Sequence, residues 1–212
     1  MKKLFYILFL VQIAYFIPNI LHAQINTVWA LGDGEKVYRD ELRHPLKSGN
    51  QVWDGESIQI QGLYNEVLAV QVIAEIGPLG AKGLEIAVEL PVHATSGKSI
   101  GSSTQRYGEA GTVELFSQHY LHVVDSTSPN WFYGSEAAKP KKMKGWIPDA
   151  LIPAHALPGT GGFPIDIPSG TSSQNQGFWI DIHLPRDQAL QERDHWYCSQ
   201  AHLEQGSKPG GR

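Results

Sequence analysis

One cysteine, Cys198, stands in a chain of 212 residues. No disulfide framework can be built from it and no cysteine-based metal site. A domain of this size in an oxidising compartment must then rely on its apolar core. Positive charge is not in excess either. Seventeen Lys and Arg against 21 Asp and Glu leave a formal charge of −4. No basic stripe interleaves with aromatics, so nucleic acid is not an expected partner. Lys139, Lys141, Lys142 and Lys144 cluster around Pro140 and ahead of Gly145, the setting of a solvated loop. Before residue 187 no window has the apolar spacing of an amphipathic helix, and no internal repeat is present. No serine sits in a Gly-flanked elbow between a strand and a helix. Gly159-Thr160-Gly161-Gly162 is not followed by a helix whose N-terminus could hold a phosphate. No cofactor is expected.

What is present is alternation. Phe178, Ile180, Ile182 and Leu184 alternate with Trp179, Asp181 and His183, the period of a strand lying over a core, and Pro185 closes it. Asn65 to Ile76 is the longest clean stretch, and both its faces are largely apolar until its end, as in a central strand. Thr27–Leu31, Ile58–Ile60, Leu84–Leu90 and Val113–Val124 read as further strands, and Lys36–Arg39 as the return of a hairpin. From Asp125 to Ser173 prolines and aromatics follow in irregular order. The chain is therefore expected to be all-β, an antiparallel two-sheet β-sandwich with a long irregular Pro/aromatic-rich excursion.

Three segments are distinguished. Residues 1–23 carry Lys2 and Lys3, an apolar run from Leu4 to Ile17, and Leu21-His22-Ala23. This is the order of a secretory signal peptide. It implies export (periplasmic, cell-surface or extracellular) and no stable membrane span after cleavage. Residues 24–187 form the sandwich. Residues 188–212 alternate poorly and read as an atypical tail, loosely held as a short helix over Leu190 and Trp196 and then disordered. Such an ending is what a shifted reading frame or a truncated gene would leave.

The candidates for chemistry are few. Asp33, Asp54, Glu66, Asp149 and Asp166 lie beside Gly, Asn or Pro, where a carboxylate caps its own turn, and nothing pairs them across a cleft as hydrolysis would need. His119 and His122 point to opposite faces if their segment is a strand, which disfavours a shared metal. No metal ligands are assigned. Trp131, Phe132, Tyr133 and Trp146 are the better group, because a flat ring can stack on the apolar face of a sugar. Trp131, Tyr133, Trp146 and Asp149 are the candidate carbohydrate contacts, with His155 nearby. The competing reading is that these rings only pack the excursion onto the sandwich.

Several segments in order resemble the N-terminal domain of glycoside hydrolase family 123-type proteins and their relatives of unknown function. They include Val28-Trp29-Ala30 with Asp33-Gly34, Ser48-Gly49-Asn50 with Val52-Trp53-Asp54-Gly55, and Ile60 to Gln71. His119-Tyr120-Leu121-His122-Val123, Trp131-Phe132-Tyr133-Gly134, Trp146 to Pro153, Gly162-Phe163-Pro164 and Asn175 to Asp187 complete the set. The resemblance implies a β-sandwich placed before a catalytic barrel that hydrolyses N-acetylgalactosamine glycosides through an adjacent Asp-Glu pair. Asp40-Glu41 is the one such dipeptide here, and it falls in the sandwich half. No catalytic residue is carried over. The expected function is a non-catalytic module supporting carbohydrate processing by a barrel domain. An autonomous carbohydrate-binding module and a free-standing glycosidase are the alternatives.

Overall fold

The computed structural model describes residues 25–63, 65–90, 92–93, 97, 99, 113–125, 144–157, 159, 161–184, 194–198 and 201–205. The expected signal peptide, Trp131 and Tyr133 lie outside them. Eleven strands are described: β1 (Ile25–Gly32), β2 (Ile58–Gly62), β3 (Val67–Ile76), β4 (Ala81–Val88), β5 (Val92–His93) and β6 (Val113–Val123), then β7 (Gly145–Pro153), β8 (Ile165–Ile167), β9 (Gln174–His183), β10 (Asp194–Cys198) and β11 (Ala201–Gln205). Among the described residues one 3-10 turn, Pro45–Ser48, interrupts them. Among the described residues no helix is long and apolar enough to cross a membrane.

Every pairing is antiparallel. One layer is a five-stranded sheet in the order β1-β3-β9-β6-β7; two three-stranded sheets, β2-β10-β5 and β11-β4-β8, lie against it. The two stretches that alternate most cleanly are neighbours. β3 and β9 pair over ten residues, from Val67 with His183 to Ile76 with Gln174. Their inward positions, Val70, Val72, Ala74 and Ile76 with Phe178, Ile180 and Ile182, meet Ile58 and Ile60 of β2, Leu84 and Ile86 of β4, and Ile167 of β8 in one core. Burial of that apolar area is the main driving force for the sandwich, and the all-β two-sheet expectation holds.

Three expectations are corrected. Residues 36–39 do not return as a hairpin with β1; they cross the outer face of the five-stranded sheet, as described below. Trp146 is not in an irregular loop but on β7, an edge strand. The segment 188–212 was expected as a loose helix and then disorder, yet its described residues are two strands. Trp196 pairs with Ile60 on one side and His93 on the other, and β11 runs along β4 from Ala201 with Val88 to Gln205 with Leu84. The physical reason is that β2, β4 and β5 would otherwise present unpaired N–H and C=O groups along an edge. A backbone ladder needs no alternating side chains to satisfy them.

Candidate functional site

The site is assembled on the outer face of the five-stranded sheet by the segment that leaves β1. Val37 is buried there with Trp29, Leu31 and Ile73, which point away from the main core. Side chains of the sheet then hold the segment's backbone. Gln71 Nε2 donates to the carbonyls of Gly32 (2.9 Å) and Glu35 (2.7 Å). Asn175 Nδ2 donates to those of Tyr38 (3.0 Å) and Glu41 (2.9 Å). The backbone of Arg39 ties two strands together: its N–H donates to Trp146 O of β7 (3.2 Å) and its carbonyl accepts from Asn175 N of β9 (2.7 Å). Buried amides that would be costly alone are thus partnered.

A second polar link runs across β9. Gln118 Nε2 on β6 donates to Gln71 Oε1 on β3 at 2.7 Å. It reaches past β9 because residue 177 is glycine; a Cβ there would collide with the Gln118 side chain. Tyr120, also on β6, is buried with its hydroxyl lacking a partner of ordinary hydrogen-bond geometry among the described residues. Burial pushes its phenol well above the ordinary value, against weaker opposing effects of the Gly177 backbone and the Arg39 charge.

Arg39 and Trp146 are the exposed part of this arrangement. The Arg39 guanidinium lies 4.8 Å from the centre of the Trp146 ring, a cation–π contact. Its Nε donates to Gln174 Oε1. That oxygen faces it because the Gln174 amide nitrogen is turned to Pro168 O at 3.1 Å. Partial burial lowers the guanidinium pKa, with Tyr120 pulling the other way. His122, paired with Trp146 in the β6–β7 ladder, stacks on the indole at 4.6 Å and 27°. The indole is still 38% exposed.

Asp149 joins by an irregularity of the strand. His119 pairs with Ala150 and Tyr120 with Pro148, so Asp149 is an extra residue in the ladder, a bulge that inverts the alternation. Strict alternation would put Trp146 and Asp149 on opposite faces. With the bulge both meet the 36–39 segment, Asp149 through an exposed 3.4 Å ion pair with Lys36. His155 is exposed in the turn after β7, at the other end of the strand from Trp146. Of the predicted contacts, then, the structure brings Trp146 and Asp149 to one corner.

The remaining carboxylates serve the backbone. Asp54 accepts from the Glu56 and Ser57 amides (2.9 and 2.7 Å), the Ser57 hydroxyl (2.8 Å) and Gln59 Nε2 (2.9 Å). The Ser57 and Glu56 amides are the main reason its pKa falls well below the carboxylate range. Glu66 accepts from Leu63 N (2.6 Å) and Asp166 from Gly83 N (2.8 Å).

Sequence reasoning missed Arg39, Gln174 and the amide pins Gln71, Gln118 and Asn175, and it weighed His122 only as a metal ligand. For the pins one signal existed: Gln71 is polar between Val70 and Val72 in the middle of a largely apolar strand. For Arg39 there was none, since the side chains around it come from residues about eighty or more positions away. Among the described residues no group of three or more His, Cys, Asp or Glu side chains could hold a metal ion. The chain matches no family model and no curated protein sequence.

Proposed function

We propose that this chain is a non-catalytic β-sandwich module of an exported glycoside hydrolase-like protein, supporting carbohydrate processing by a barrel domain, with the Trp146 corner as its contact with sugar. The observation that supports this most is a partly open indole set on a strand rather than a loop. Its position is fixed by ladder pairing and by the Arg39 backbone. A ring held in this way loses little freedom on binding, and the part left uncovered by Arg39 and His122 is what a sugar would meet. Asp54, Glu66 and Asp166, singled out in the sequence, are engaged with turn and backbone amides, which favours a supporting role over a hydrolytic one.

A glycan array on the full chain, repeated with Trp146→Ala, tests the reading. The expected result is binding that weakens by about 3–10-fold in the variant, the worth of one aromatic contact, with an unchanged melting temperature. A chromogenic N-acetylgalactosaminide should not be turned over; turnover abolished by Asp40→Ala would refute the non-catalytic reading. Binding that ignores Trp146 would remove this corner from the proposal and favour the reading in which the ring only packs.

A further inference from the structure

Arg39 has a charge that nothing described around it balances. Among the described residues the ion pairs are Lys36 with Asp149, Lys47 with Glu75 and Lys144 with Asp125, and His44 Nε2 lies 3.4 Å from Glu35 Oε2. None involves Arg39. Its contacts there are the Gln174 amide oxygen, a neutral acceptor, and the face of Trp146. A half-buried guanidinium is costly to leave without a counter-charge, and the cost falls when an anion arrives. The geometry of its anchoring also matters. With Nε committed to Gln174 and neither Nη bonded among the described residues, the two terminal groups form a parallel pair of donors, the end-on fork that takes two oxygens of one oxyanion. The nearby Asp149 does not oppose this strongly, because Lys36 neutralises it.

The geometry points to a receptor for the oxyanion of an acidic sugar, a uronate carboxylate or a sulfate ester. The Nη groups of Arg39 take the anion, and the open part of the Trp146 indole lies beside the sugar ring. This deepens the proposed function and rests on its reading of the corner as a carbohydrate contact. It adds a ligand class and assigns Arg39 the selecting role. Lysine would be a poor substitute, since an ammonium offers a point charge without the planar fork.

The test is calorimetric titration of the full chain with galacturonate and glucuronate trisaccharides, their carboxyl-reduced neutral counterparts, and the sulfated neutral trisaccharides. An acidic form bound about tenfold or more tightly than its neutral counterpart is expected, as for a gained charge-assisted pair. That preference should vanish in Arg39→Gln and survive only in part in Arg39→Lys. A preference for the carboxylate or for the sulfate supports the receptor and identifies its source. Comparison of acidic with neutral ligand on the unmodified chain stands even where a variant fails to fold. Equal binding of acidic and neutral forms overturns the anion receptor while leaving the carbohydrate reading intact. No binding of any trisaccharide overturns both.

Discussion

Tyr120 shows how a single side chain can set the alkaline limit of the fold. Its hydroxyl is buried without a well-formed hydrogen bond, and burial raises its pKa. A folded-state pKa above the unfolded value of about 10 gives stability that is fully present below pH ~10 and is lost as pH rises further. In that range the unfolded chain can release the proton and the folded chain cannot. Tyr120→Phe removes this penalty along with the unsatisfied group. At pH 7 the variant should lie within about 1 kcal/mol of the parent, because no strong hydrogen bond is broken. Urea unfolding at pH 9 and pH 11 should show a larger loss for the parent than for the variant. Parallel losses would mean that this phenol is hydrated in the folded state.

At the scale of elements, the two final strands carry a load their sequence does not advertise. β10 lies between β2 and β5, and β11 is the neighbour of β4 opposite β8. Without them the backbone groups of β2, β4 and β5 lose their ladders and become edges open to another chain. A chain ending at Asp187 should therefore melt lower by roughly 5 °C or more, a loss of about 2 kcal/mol for a domain of this length, and should aggregate more readily. Limited proteolysis of the full chain should leave 194–205 protected. Rapid trimming to about residue 187, with unchanged melting, would show that these strands add nothing. β7, the opposite case, is a true edge of the five-stranded sheet. It carries Pro148, Pro153 and a bulge, the usual devices that blunt an edge against further pairing.

For the whole molecule, stability should track the core between the layers rather than the decorated outer face. Ile180, buried at the centre of β9, sits among residues of β2, β3 and β4; Ile180→Ala should cost about 2–5 kcal/mol. Leu151, on the exposed edge strand β7, should cost within about 0.5 kcal/mol on the same change. Chemical denaturation of the two variants at pH 7 measures the contrast, and similar costs would count against a single dominant core. The sequence by itself determined the class of the fold and most of its strands, because period-two alternation in Phe178–Leu184 states which side chains turn inward and the apolar run of Val67–Ile76 marks a central strand. It also placed the turn-forming carboxylates, since Asp54 finds its partners within five residues. Alternation does not say which strand is the neighbour, and hydrogen bonding by backbone alone leaves little trace in side-chain pattern. Only the tertiary structure therefore decided that β10 and β11 join the sheets, and that β9 lies between β3 and β6. The same holds for the corner around Arg39. A bulge of one residue turned Asp149 to the face of Trp146, and amides on β3 and β9 fixed the crossing segment that delivers the guanidinium. Both depend on contacts far apart in the chain, where local preference has no say.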